Sequence, residues 1–467
     1  MSLRKAFTMN TSPSIFCGPR VLPFLILLCS LRLGSGAESS FPYFRQAFIS
    51  GITLPNPYTS HWSQERDGMF YATYRSGMGG SAVYRMRSDG GEFTLIRRES
   101  SNYLTGTTMG LDGRLYGSTW QPPFGAAPGL FRMNADGGMF EIIKSLPGEH
   151  SVAGVVQDAD GMLFGTTVAS GNFNRGVVFK VTTNGTGFER IHHFGSVPAD
   201  GHLAGALLIG SDGWLYGCTV YGGDRDQGII FKINRDGGGY AVLHHFDNTS
   251  RRGGRPTYHR PLLEASDGLL YGAADGGDNR AGVLFCIGRD GSGFRLVHQF
   301  AGEDSFGDSP VGGLIEWCDG ALYGTTHEGG IDGAGIVFRV NRDGSGFRVL
   351  KVYIDGPNPG DSDGTSGVPL VLGADGRIHG LTSGGSVAQG TKFMIDIAPA
   401  IAMRMEPSVV TLSWPSCADG FVLEYATALA QPTEWSPVTV EPADSGTRRL
   451  VQLPRASAPF FFRLVRR

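Results

Sequence analysis

Four groups of residues in this chain are of types that do chemistry. Between Asp247 and Pro261 lie Arg251, Arg252, Arg255, His259 and Arg260, a basic stretch whose guanidinium forks would match the carboxylates or sulfates of an acidic glycan. The neighbouring Glu303, Asp304 and Asp308 are acidic. Glu264 and Glu316 would suit paired acid–base work if both faced one channel. Asp224-Arg225-Asp226 and Asp361-Ser362-Asp363-Gly364 resemble fragments of calcium loops. Each offers two carboxylates where calcium takes six to eight oxygens, so they read as polar loops. His192-His193, His244-His245 and His298 bring the residue type that binds metals and moves protons.

Other signatures are missing. There is no G-x-S-x-G elbow and no H-E-x-x-H. Pairs such as Gly222-Gly223 and Gly329-Gly330 have no following Lys-Ser and open no helix, so they are chain turns and not phosphate cradles. No catalytic residue, metal site or cofactor is assigned. The formal net charge of −3 gives no field that would draw nucleic acid.

Something must hold these residues, and the chain repeats. Asp67-Gly68-Met69-Phe70-Tyr71-Ala72 returns at Asp112, Asp160, Asp212, Asp267, Asp319 and Asp375, typically as Asp-Gly-x-Leu-Tyr-Gly. Spacings of 45 to 56 residues define a repeat architecture. With 72 glycines and 11% aromatics, the composition favours short strands and tight turns. In one unit, Leu203 to Ile209, Trp214 to Val220, Ile229 to Ile233 and Tyr240 to Phe246 are apolar runs, here named strands A to D. Asp212-Gly213 joins A to B and Asp236-Gly237 joins C to D, which predicts type I′ hairpins with positive φ at both central residues. The histidines fall at matching places on strand D, at the outer rim, where neighbouring units keep them apart.

The seventh unit has strand A near Val368 to Leu372, strand B after Gly376 and strand C near Thr391 to Ile397, but lacks strand D. Tyr43 to Phe48 matches such a strand and stands before the first unit. The expectation is therefore all-β: a seven-bladed β-propeller of four-stranded blades over residues 41–397, closed by an N-terminal strand. An open solenoid would instead need capping repeats. Both Asp-Gly turn series lie on one face of such a ring. The variable B–C and D–A connections lie on the other, where binding is expected.

Gly324-Thr325-Thr326 with Gly329-Gly330 and Gly335-Ile336-Val337-Phe338-Arg339 resembles the bacterial GloVer tandem repeat, and the likeness runs from about Phe41 to Ile397. The resemblance implies a secreted or surface protein with a variable C-terminal attachment module, and it implies no reaction. Ala72, His379 and the segment around Gln121-Pro122-Pro123 depart from the pattern.

Arg20 followed by Val21 to Cys29 and Ser35-Gly36-Ala37 reads as a signal peptide over residues 1–37, cut after Ala37. The mature chain is then secreted, periplasmic or at the cell surface, without an integral membrane span, and a monomer. Four cysteines remain, Cys218, Cys286, Cys318 and Cys417, which allow three pairings and read as isolated buried thiols. Past the Ala398-Pro399-Ala400 linker, residues 401–467 alternate as strands, which predicts a small C-terminal fibronectin-like β-sandwich domain for attachment or accessory use. The functional expectation is a non-catalytic binding or structural protein for an extracellular glycan or surface protein. The alternative is an enzyme acting on extracellular polysaccharide through channel carboxylates.

Overall fold

The fourth unit shows how this sequence makes a sheet. In the computed structural model, Gly201–Ala204 and Leu208–Ile209 form strand A, Leu215–Gly222 strand B, Ile229–Ile233 strand C and Ala241–His245 strand D, all antiparallel. The structure describes residues 43–45 and 62–466, apart from 66, 76–79, 90, 101–102, 121–127, 147–149, 248–252, 258–259, 278–279, 301–307, 331–332, 354–368, 383–391, 398, 400, 418–419, 428–433 and 456–459.

The hairpins are not type I′. Gly213 N donates to Gly210 O at 2.8 Å, Gly210 N donates to Trp214 O at 2.8 Å, and the positive φ falls on Gly213 alone, at 82°. The turn is thus a three-residue loop, a type I turn closed by a left-handed glycine. The aspartate explains why. Asp212 Oδ1 accepts from Trp214 N at 3.2 Å, so the side chain itself stabilises the right-handed half of the turn. Its Oδ2 accepts from Tyr216 Oη at 2.7 Å. The same latch joins Tyr71 to Asp67, Tyr116 to Asp112, Tyr271 to Asp267 and Tyr323 to Asp319. Burial together with this bond pushes the Tyr116 phenol up to about 12. His379 keeps the latch where tyrosine is lost, with Nε2 3.0 Å from Asp375.

The last motif glycine has a packing reason. Gly217 pairs across strands with Phe231, and a Cβ there would lie 2.5 Å from the ring. Gly165 with Phe179, Gly272 with Phe285 and Gly324 with Phe338 repeat the arrangement. Ala72, which breaks the pattern, faces Tyr84 where the other units have phenylalanine. The repeated threonine ties two strands together. Thr167, Thr219 and Thr326 each accept the backbone N–H that opens strand C, at 3.1 to 3.2 Å.

Among the described residues every regular element is a strand, and the first six sheets follow one another in chain order. The next sheet combines Val371–Leu372, Ile378–Leu381 and Lys392–Asp396 with Tyr43–Arg45, in the register Tyr43 to Asp396 and Arg45 to Met394. Most of the cores in the repeat region lie between consecutive units. Tyr216, Cys218 and Ile230 pack on Leu270 and Phe285, for example, and Tyr271 and Leu284 pack on Leu322 and Phe338. One core joins the last unit to the first, with Phe70, Ala72 and Met86 against Leu381. The final segment forms two sheets. One holds Ala402–Met405, Val409–Pro415, Arg448–Pro454 and Ala443–Asp444, and the other holds Ser436–Pro437, Phe421–Ala426 and Phe461–Arg466. Leu412, Trp414, Phe421, Leu423, Val451 and Leu464 fill the space between.

Lys392 bolts the junction of last and first units. Only 4% exposed, its Nζ donates to the carbonyls of Arg87 at 2.9 Å and Ser88 at 2.6 Å, and lies 4.7 Å from the centre of the Phe70 ring. Burial pushes its pKa down to about 8. Between that value and the ordinary lysine value of 10.5, the unfolded chain holds a proton that the folded one releases, so stability rises with pH across this window. The expected rise is at most about 3 kcal/mol. Urea midpoints from pH 7 to pH 10 should show it in the native chain, and the rise should flatten in Lys392→Met.

Candidate functional site

The basic stretch is split by the fold. Arg251, Arg252 and His259 lie outside the described residues. Arg255 and Arg260 are not on one loop, because Gly254–Pro256 and Leu263–Glu264 are the two halves of a strand A. Arg260 sits in the break between these halves, which runs from Thr257 to Leu262. The equivalent breaks are shorter, Gly205 to Leu207 before and Val311 to Leu314 after. The stem of Arg260 passes Gly312 and Gly313 of the next unit so closely that a Cβ on either would touch it at 3.4 and 3.5 Å. Burial pushes this guanidinium down to about 10. Arg255 turns the other way, towards the preceding unit.

A strained backbone aims Arg255. Its φ is 46°, and Leu203 at 60° and Ser309 at 54° hold the same place in the adjoining units. A non-glycine residue in this region costs about 1 kcal/mol or more, and such positions concentrate at working sites. Arg255 N donates to Gln227 O at 2.7 Å, as Ser309 N donates to Ala281 O at 2.9 Å, so the bulge is stitched to the B–C connection of the unit before. The exposed guanidinium then lies 5.2 Å from the centre of the Tyr221 ring. Tyr221, next to the last residue of its strand B, lies opposite His202, whose ring stacks at 5.1 Å and 17°. His202 Nε2 is 3.5 Å from Asp226. Tyr221, His202, Arg255 and Asp226 thus form an aromatic platform flanked by a cation and an anion, on the face carrying the B–C and D–A connections. Sequence reading singled out Arg255 but missed Tyr221 and His202, whose importance comes from pairing across strands.

Glu303, Asp304 and Asp361-Ser362-Asp363-Gly364 lie outside the described residues, and the other candidates serve the fold itself. Asp226 Oδ1 accepts from Gly222 N at 2.8 Å, and Asp224 N donates to His245 Nδ1 at 3.3 Å, so Asp224-Arg225-Asp226 closes its own loop. The paired glycines turn the chain as expected, with φ of 91° and 75° at Gly222 and Gly223. His192 stacks on Tyr240 at 3.7 Å, His244 on Phe294 at 3.6 Å and His298 on Phe347 at 3.9 Å, each ring lying against the following unit. Burial pushes His298 down to about 4, so it packs as a neutral ring. Asp200 is buried and takes hydrogen bonds from Tyr240, from Gly195 N at 2.8 Å and from Gly201 N at 2.8 Å, with His192 Nε2 at 3.1 Å. Burial opposes its ionisation, yet these donors hold its carboxyl below the usual range.

Glu264 and Glu316 are engaged between units. Glu264 accepts from Ser211 N and Oγ, both at 2.7 Å, and lies 3.2 Å from Arg289. Glu316 accepts from Ser266 N at 2.6 Å and Oγ at 2.9 Å, and lies 3.3 Å from Arg342. Gln157 does likewise for Leu111 N at 2.7 Å. These side chains cap the A–B turn of the preceding unit.

The thiol expectation needs correcting for one pair. Cys318 and Cys417 form a disulfide, while Cys218 and Cys286 are free and buried. Folding brings the first pair together across 99 residues, a proximity that cysteine spacing does not encode.

The Gloeobacter/Verrucomicrobia repeat matches residues 56–257, 102–316 and 252–406 in overlapping segments. The chain belongs to this family. Its fold has propeller-like neighbours among solved structures. An oligogalacturonate lyase from Vibrio parahaemolyticus aligns with TM-score 0.51 and 12% identity over 77% of this chain and 98% of that one. An oligogalacturonate lyase in complex with manganese aligns with TM-score 0.50 and 12% identity over 78% and 98%. At this identity the likeness concerns the fold alone. No curated protein matches the chain. Among the described residues no helix is long and apolar enough to cross a membrane.

Proposed function

We propose that this repeat protein is a secreted, non-catalytic binding module that holds an acidic extracellular glycan at Arg255, Tyr221 and His202. In this reading the units are the seven four-stranded blades of a closed β-propeller, and residues 401–467 form a β-sandwich domain used for attachment. The chain works as a monomer, without nucleic acid or cofactor. One observation carries the ligand class. An exposed arginine in a left-handed conformation sets its guanidinium 5.2 Å from an aromatic ring centre, beside a stacked histidine. Aromatic faces suit the apolar faces of sugar rings, and guanidinium forks suit carboxylate or sulfate. The core between the last and first units supports closure. The Cys318–Cys417 disulfide supports an oxidising compartment.

An array of carboxylated, sulfated and neutral oligosaccharides, oligogalacturonate included, tests the reading. Binding is expected for the anionic sugars. Arg255→Ala and Tyr221→Ala should each weaken it at least tenfold, about 1.4 kcal/mol, without moving the melting temperature. Binding restricted to neutral sugars, or untouched by both substitutions, overturns the site. Appearance of new chain ends in any polysaccharide overturns the non-catalytic assignment.

A further inference from the structure

The junction between the sixth and seventh units lacks the serine–glutamate clamp that the two junctions before it carry. Ser211 and Ser266 precede the aspartate of their A–B turns, and each is capped by a glutamate from the following unit. In the sixth unit Cys318 takes the serine's place, and in the seventh Leu372 takes the glutamate's place. Trp317 replaces a small residue and supplies another tie, donating from Nε1 to Gly376 O at 3.1 Å. Cys318 packs against the core of its own junction and against the core of the C-terminal sheets, and its sulfur is bonded to Cys417. At this junction the C-terminal segment is tied covalently, where the two junctions before it carry a serine–glutamate clamp.

The topology gives that link a mechanical consequence. Without it, tension on the C-terminal segment would pass through residues 397–401 directly into strand Lys392–Asp396. That strand carries both the Tyr43–Arg45 pairing and the Lys392 bolt. It is the place where the ring of sheets is joined without covalent continuity. We propose that the Cys318–Cys417 disulfide is a tension bypass, routing force on the C-terminal segment into the sixth unit and keeping it off the seventh unit and its junction with the first. The use of such a device rests on the reading of the C-terminal segment as an attachment domain.

Single-molecule pulling of the full chain tests the bypass, with one handle at the C-terminus and a click-chemistry handle in place of the exposed Met139. After the C-terminal sheets extend, the oxidised chain should show no low-force release of the seventh unit. Its full extension should fall short of the dithiothreitol-treated chain by about 34 nm, the length of the shunted residues at 3.3–3.6 Å each. The reduced chain should release the seventh unit first, at lower force. Cys318→Ser/Cys417→Ser should reproduce the reduced trace, and reduction of the already folded native chain gives the same comparison if that variant does not fold. Identical event order and length in both redox states overturn the proposal. Glycan binding at Arg255 is read separately, so failure of either idea leaves the other's measurement intact.

Discussion

Gly185→Ala is expected to destabilise the protein by about 3 kcal/mol, while Gly113→Ala costs only about 1 kcal/mol. The two glycines have nearly the same backbone, with φ of 80° and 74°. Their surroundings differ. A Cβ on Gly113 would meet nothing within 4 Å, so only the left-handed conformation is penalised. A Cβ on Gly185 would overlap the carbonyl oxygen of Ile143, on strand D of the preceding unit. That atom is backbone and not the end of a flexible side chain, so the second unit or the third must shift. Gly137 against Ile96 and Gly344 against Val297 show the same approach, making the C–D turn glycine a contact between units as well as a turn residue. Urea denaturation of both variants is the measurement. Equal losses would mean that backbone conformation alone decides, and the inter-unit contact would have to be abandoned.

Deleting Tyr43 to Phe48 is expected to cost at least about 3 kcal/mol, at roughly 1 kcal/mol for each backbone hydrogen bond lost. The deletion removes the pairing partner of Lys392–Asp396 and leaves that strand as an open edge. Loss of cooperativity should begin at the junction of Phe70, Met86 and Leu381, because closure there depends on strands with no chain connection between them. Light scattering should also report association through the bared edge. A melting temperature unchanged by the deletion would dismiss the closing strand.

Much of the architecture was legible because it repeats. A glycine that returns at the sixth place of every motif but the first, opposite a phenylalanine, marks a register that any one copy would leave ambiguous. Strand C was readable to the residue in the fourth unit, Ile229–Ile233, since its apolar run is bounded by glycine and a turn. The turn type was misread. Asp-Gly is compatible with either hairpin, and the choice went to the one in which the aspartate carboxylate can bond its own backbone and the tyrosine together. The basic stretch was misplaced for a related reason. Gly254–Pro256 carries no apolar run, so its membership of strand A depends on pairing with Gly254 opposite Asp275 and Pro256 opposite Ala274.

The sequence alone determined the repeat, the all-β character and the family, because these rest on local propensities and on a period that survives without knowledge of contacts. Tertiary structure alone decided what each polar residue does. Glu264 and Glu316 became clamps, the histidines became stacked rings, and Cys318 found Cys417, because each partner lies on another unit or in the C-terminal segment. Arg255 acquired Tyr221 in the same way, through a left-handed residue stitched to the preceding unit. Side-chain roles in such a repeat are set between units, where separation along the chain says little about distance in space.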